Sequence, residues 1–265
     1  MSKVAILQLP TLSMSEGRID YYIRAVVDSG ASLALIGEYV LNSFFSELIK
    51  MPKAMINEQI SHKLELFKDI AKRYEIDIVA PFIIEKAGGY YKVIAKFSPK
   101  SVRFVEQNFL MNYSHWDEKS FFKNKFEKAK FLCFNHNGFK IGVMAGFETH
   151  FDISWKYMRD AKVDAVLVPT ASTFESNLRW EKLLSMRAFT NLVYVLRANR
   201  VGKVKISNNQ SWEFYGDSFA VSPNGKISSR LSFEEGVLLF ELSKKEIKDE
   251  RKLWKFTEIL KGIDE

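Results

Sequence analysis

KIGVMAGFETHFDISWKYMRDAKVDAVLVPTAS, residues 140–172, is the stretch from which the fold can be read. It opens on an apolar run, Ile141 to Ala145, whose length suits a buried strand better than a helix. A sharp turn through Gly146 and Phe147 follows, and then a helix expected from Asp152 to Asp160. A second apolar run, Ala165 to Val168, closes on Pro169 and the small residues Thr170, Ala171 and Ser172. Strand, elbow, helix and strand make a βαβ-like unit whose first turn stands above the sheet. Enzymes use such an elbow to expose a nucleophile. The residue at its tip is Gly146, which has no side chain.

Working outward toward the N-terminus, Val4 to Leu9 reads as a buried strand ending at Pro10. Ser13 or Ser15 is placed to cap a helix that stops at Ser29-Gly30. Leu33 to Ile36 is a second buried strand, and it delivers Gly37-Glu38-Tyr39 at its end. A carboxylate there sits at the carboxyl edge of a sheet, where α/β proteins place their sites; a surface charge in a loop fits the same position. Residues 42–57 read as an irregular lid or loop carrying Phe44, Phe45, Met51 and Met55. Glu58 to Tyr74 has the apolar stripe of an amphipathic helix. Ile76 to Ile84 and Tyr90 to Phe97 are strands joined by Ala87-Gly88-Gly89, and Ser98 to Leu110 continues extended. Phe131 to Phe134 and Phe139 to Met144 flank Asn137-Gly138, the strongest hairpin signal in the chain.

Beyond the central unit, Ser176 to Thr190 reads as a helix and Asn191 to Ala198 as a buried strand leading to Asn199-Arg200-Val201-Gly202. Ser218 to Val221 and Lys226 to Ser229 bracket a Pro223-Asn224-Gly225 turn, and Val237 to Leu242 is the last strand. A charged helix from about Lys244 to Leu260 closes the chain, to pack on its own domain or on a second subunit. Strands and helices alternate in both halves with no repeat and no Pro/Gly-rich break, so one α/β domain is expected over residues 1–265.

Composition narrows the classes. With 265 residues, 47% hydrophobic and 27% charged, the chain has the means for a sizeable core and is not a disordered one. Its formal charge of +7 is spread through interleaved Lys and Glu, which reads as a lysine-coated surface more readily than as a polyanion site. In Trp116 to Lys130 several lysines interleave with Phe121, Phe122 and Phe126; nucleic-acid stacking is the lesser reading, and a solvated segment pinned by its aromatics is preferred. A single cysteine, Cys133, excludes an internal disulfide framework and a multi-cysteine zinc site. No run approaches the roughly 18 apolar residues of a membrane span, and the expectation is a cytoplasmic protein. No cofactor or metal is expected.

The order of the pieces resembles the nitrilase, or carbon–nitrogen hydrolase, superfamily over essentially the whole chain. The resemblance is carried by VAILQLP, by LALIGEYVL with Glu38, by YYKVIAKFSP, by FKIGVMAGFETHF and by VDAVLVPTAS. RWEKLLSMRAFTNLVYVLRANRVG, with Arg187, Asn191, Asn199 and Gly202 in order, and GDSFAVSPNGKI complete it. None is specific alone; seven in order are. The resemblance implies a four-layer α-β-β-α sandwich, usually paired into dimers. It also implies hydrolysis of nitriles, amides or carbamoyl groups by a cysteine nucleophile, a glutamate base and a lysine. A thiol at neutral pH needs a carboxylate to take its proton, and an ammonium steadies the oxyanion of the tetrahedral intermediate.

Carried over residue by residue, the resemblance places Glu38 at the base, after Gly37 where the family commonly has proline. It places Gln107, in FVEQNFL, at the lysine and Gly146 at the nucleophile. Glu118 in WDEKSFF fits the supporting glutamate, and Glu148 the acidic position past the elbow. Phe147, His150, Thr170 and Ser172 join Glu118 and Glu148 as substrate-pocket residues. Cys133 pairs across its hairpin near Gly142, about 13 Å short of the elbow, and reads as a packing cysteine. The hydroxyls of Thr149 and Ser172 need stronger activation than a thiol. His150 with Glu148 and Asp152 lacks paired metal-ligand spacing, so His150 reads as a pocket residue. Glycine at the tip would also relieve a strained elbow.

Three accounts stay open: lapsed chemistry with a pocket that still binds a small amide, nitrile or carboxylate; hydrolysis without a thioester, with Glu38 activating water; or a residue 146 altered from an ordinary amidase. The joint absence of cysteine and lysine favours the first. A basic nucleic-acid-binding module is the reading from another class, and steep salt dependence would mark it.

Overall fold

The computed structural model describes residues 2–207, 210–256 and 259. Strand β1 (Ser2–Gln8) is followed by helix α1 (Gly17–Asp28) and by β2 (Leu33–Ile36), which lies parallel to β1. A short helix α2 (Phe45–Leu48) and the long α3 (Lys53–Arg73) lead to β3 (Asp77–Lys86), parallel to β2. Then β4 (Gly89–Ser98) and β5 (Ser101–Glu106) turn back antiparallel. A small ladder, β6 (Asn112–Tyr113) with β7 (Trp116–Asp117), stands apart.

The second half repeats the scheme. β8 (Leu132–His136) and β9 (Phe139–Val143) form a hairpin, α4 (Asp152–Asp160) crosses over to β10 (Ala165–Thr170), and α5 (Asn177–Asn191) to β11 (Tyr194–Asn199). β12 (Val201–Ser207) and β13 (Gln210–Tyr215) make a separate hairpin. β14 (Phe219–Val221), β15 (Ile227–Arg230), β16 (Gly236–Leu242) and α6 (Lys244–Trp254) complete the chain. The result is two mixed six-stranded sheets, ordered β16-β1-β2-β3-β4-β5 and β15-β14-β11-β10-β9-β8. β16, arriving last, pairs antiparallel with β1 across the whole strand.

Period-two alternation explains the layers. Val4, Ile6, Leu33 and Leu35 from the first sheet meet Ile141, Val143, Leu167 and Leu196 from the second. Ala5, Leu7, Ala34 and Ile36 point the other way, onto Ile19 and Ile23 of α1 and Phe67 and Ile70 of α3. Val166, Val168 and Val195 face Trp155 and Met158 of α4 and Leu184 and Ala188 of α5. Central strands are covered on both faces, so they read as continuous apolar runs.

The expected bounds of β2 and α4 match the structure, as does the pairing of Cys133 with Gly142. Other expectations need correction. Helix α1 begins at Gly17 behind Glu16 with no side-chain cap, so neither Ser13 nor Ser15 caps it. Residues 42–57 are not a lid: Phe44, Phe45 and Leu48 are buried, and α3 already starts at Lys53. The Phe44 ring lies among Tyr39, Trp116, Trp212 and Phe214, with centroids 4.8, 4.9, 6.0 and 5.5 Å away. The β12–β13 hairpin falls where the sequence reading assigned no element. The closing helix is described to Trp254; the expected end at Leu260 lies outside the described residues. Among the described residues no helix is long and apolar enough to cross a membrane.

Candidate functional site

The carboxyl ends of β2, β9 and β10 converge, and the chemistry collects there. After β2 the chain passes against the start of the β11–β12 connection. A Cβ on Gly37 would lie 3.1 Å from the Ala198 carbonyl oxygen and the Arg200 nitrogen, so only glycine fits without displacing backbone. Glu38 follows, 2% exposed, with its amide donating to the Thr170 carbonyl of β10 at 3.1 Å. The reading of Glu38 as a loop surface charge is therefore excluded.

Each Glu38 carboxylate oxygen has a donor. Oε1 accepts from the Gly146 amide at 3.2 Å and Oε2 from Lys92 Nζ at 3.0 Å. Lys92 Nζ also donates to Glu118 Oε1 at 2.6 Å and lies 4.6 Å from the centre of the Tyr39 ring. The Tyr39 hydroxyl donates to the same Glu118 oxygen, and the Met111 amide to the other at 3.2 Å. Glu38, Lys92 and Glu118 are each at most 2% exposed. Burial raises Glu38 above the ordinary carboxylate range and neighbouring Glu118 adds to the rise, while Lys92 and the Gly146 amide oppose it. Burial alone would lower the Lys92 ammonium; the two carboxylates more than offset that and hold it up.

The elbow is built from below. Its residues, Gly146–His150, form a 3₁₀ turn at the end of β9. Glu148, 1% exposed, accepts from the Ala145 amide at 2.8 Å, the Asn108 amide at 2.7 Å and Asn108 Nδ2 at 2.8 Å. Burial pushes its carboxyl up to about 7 against those three donors, with a small further push from Glu38. Thr149 Oγ1 donates to the Gly146 carbonyl at 2.6 Å.

Gly146 itself has a φ outside the left-handed region, so relief of backbone strain is not what glycine supplies here. Space is. A Cβ at 146 would stand 2.7 Å from Thr170 Cγ2 and 3.3 Å from Trp180 Cη2. Thr170 is held in that orientation by its hydroxyl, 3.0 Å from Asn199 Oδ1 and 3.3 Å from the Ala198 carbonyl. The threonine methyl fills the volume a side chain at 146 would take.

Above the elbow opens a cavity of about 400 Å³. Of the residues singled out from sequence, Glu38, Gly146, Phe147, His150, Thr170 and Ser172 border it. Glu118 and Glu148 do not: both lie behind the wall, one holding Lys92 and the other the elbow. Gln107 is buried with its amide donating to the Phe109 carbonyl at 2.7 Å, and its carboxamide oxygen has no partner. An ammonium reaches Glu38 from another place: Lys92 of β4, whose carbonyl accepts from the Gln107 amide at 3.0 Å. Among the described residues no three metal-ligating side chains cluster. In the basic segment Phe122 is buried, Phe121 stacks on Tyr90 at 5.2 Å and Phe126 on Phe109 at 4.9 Å. Phe121 and Phe122 pin the segment, while Phe126 stays 46% exposed.

Comparison with known proteins agrees with this architecture. A carbon–nitrogen hydrolase from Helicobacter pylori G27 superposes with a TM-score of 0.84 at 17% identity, over 97% of this chain and 94% of that one. An amidase from Nesterenkonia sp. does so with a TM-score of 0.79 at 20% identity, over 95% and 94%. In sequence, N-carbamoylputrescine amidase of Solanum tuberosum is 23% identical over 88% of this chain and 82% of its own length. A hydrolase in the agr operon of Staphylococcus lugdunensis is 26% identical over 73% and 80%. The carbon–nitrogen hydrolase family pattern matches residues 3–252, and the chain belongs to that family.

Proposed function

We propose that this chain keeps the ligand cavity of a carbon–nitrogen hydrolase and has lost thiol-dependent hydrolysis. It takes a small amide, N-carbamoyl compound, nitrile or the corresponding carboxylate; the relatives named as amidases and as N-carbamoylputrescine amidases support that class. Gly146 occupies the nucleophile position on this reading. The observation that carries it is the Thr170 methyl, 2.7 Å from where a Cβ at 146 would stand. Thioester chemistry needs a thiol at the elbow, a carboxylate to deprotonate it and donors for the oxyanion. Glu38 and Lys92 supply the latter two kinds of group, but Glu38 accepts the Gly146 amide instead of a thiol proton. Lys92 and Gly146 each engage one Glu38 oxygen and leave further lone pairs, so direct activation of water by Glu38 is the alternative the assay below tests.

Ammonia release from a panel of nitriles, short amides and N-carbamoyl compounds tests the reading. The unsubstituted protein should match a Glu38→Gln control. Gly146→Cys combined with Thr170→Ser should form an acyl adduct or turn over, and Gly146→Cys alone should do so less, because the threonine methyl stays in the way. Ammonia release by the unsubstituted protein above the Glu38→Gln control would overturn the proposal.

A further inference from the structure

The cavity walls are aromatic, with Trp116, Phe147, Phe174 and Trp180 around a polar floor. Such walls favour a flat apolar body. Among the polar side chains bordering the cavity, the hydroxyls and imidazoles can donate or accept, while the Arg179 guanidinium only donates.

Charge points the same way. Arg179 stands exposed at the mouth. The carboxylates of Glu181 and Asp152 are engaged by Arg230 and Arg187, and Glu175 is exposed without bordering the cavity. Among the described residues the one carboxylate lining the cavity, Glu38, is bound to the Lys92 ammonium. A cationic ligand would meet a guanidinium at the entrance and an ammonium behind the floor. An anionic one meets a guanidinium with a planar fork suited to carboxylate.

We propose that the cavity selects a small aromatic carboxylate, with the ring between Phe147, Phe174 and Trp180 and the carboxylate at Arg179. This rests on the reading of the cavity as a ligand site and adds the ligand class to it. The test is isothermal titration, with tryptophan fluorescence in parallel, of 3-phenylpropionate, 3-phenylpropionamide and 3-phenylpropylamine into the unsubstituted protein, Arg179→Gln and Arg179→Lys. The acid should bind about fivefold tighter than the amide, the scale of a partly exposed charge pair, and the amine weakest. Arg179→Gln should erase the preference for acid over amide while the amide still binds, and Arg179→Lys should keep part of it. Arg179 is exposed, so neither variant disturbs the core. The proposal is overturned if the amine binds as tightly as the acid, if Arg179→Gln leaves the preference intact, or if none of the three binds. Ammonia release by the unsubstituted protein would sink the loss-of-hydrolysis reading and leave this ligand class standing.

Discussion

Lys92 and Lys96 lie on the same strand, β4, on the same face and four residues apart, yet they belong to opposite ends of the sandwich. Lys96 sits opposite Val79, near the start of β3, and donates to Asp77 at 2.6 Å. Asp77 also meets His136 Nδ1 at 3.1 Å, and His136 Nε2 lies 2.9 Å from Ser32 Oγ. That group joins the two sheets at the end where β2, β3 and β9 begin. Burial would raise Asp77, but hydrogen bonds from His136, Lys96 and Ser98 outweigh it and bring the carboxyl down to about 2. At the carboxyl ends the balance reverses. One ammonium serves both Glu38 and Glu118, Glu148 lies nearby, and Glu38 and Glu148 are both pushed up. Matched charges at one end act as a clamp; a surplus of buried carboxylate lies at the other, beneath the candidate site.

The contrast is broken most severely by Lys92→Met. It leaves two carboxylates buried without their ammonium and should cost about 3–5 kcal/mol, read from urea unfolding. Adding Glu118→Gln should restore part of the loss; a Lys92→Met protein as stable as the original would refute the account of this end. Next is Glu148→Gln. The native carboxyl near 7 lies above its ordinary 4.5, so the native state binds the extra proton between those values and stability falls as pH rises through them. The stability of the original relative to the variant should drop by about 3 kcal/mol from pH 4.5 to 7 and stay flat above. The smallest effect is Asp77→Asn. Asp77 is depressed from 3.8 to about 2, so its contribution is present above pH 3.8 and disappears as pH falls toward 2. Discounted for the solvent reaching a side chain 16% exposed, it should be about 1–2 kcal/mol. Parallel acid-unfolding curves for Asp77→Asn and the original would remove the clamp from the comparison.

Much of this was legible before any coordinates. Leu33–Ile36 and Ala165–Val168 announced buried strands because both faces are covered, and the elbow was marked by the change from apolar run to Gly146. Lys92 was not legible. In YYKVIAKF the lysines alternate with apolar residues as on a solvent-facing strand, and alternation does not say which face is buried. Here Lys92, Ile94 and Lys96 all share one face, and Ile94 packs into the core between the sheets. Glu148 read as a pocket carboxylate because spacing fixes its place after the elbow but not its side: it turns back under Ala145. The β12–β13 hairpin escaped notice because exposed Lys203 and Lys205 hide the role of Val204, which packs with Trp212 and Phe214.

The threonine methyl beside Gly146 imposes an order on substitution at this elbow. Any side chain added at 146 meets Thr170 at 2.7 Å, and turning that methyl aside breaks the hydroxyl's bonds to Asn199 and Ala198. Trimming Thr170 to serine first keeps the hydroxyl and clears the space; installing the larger residue first meets the clash. A side chain at 146 is therefore reached through position 170 first, an order set by a single methyl group.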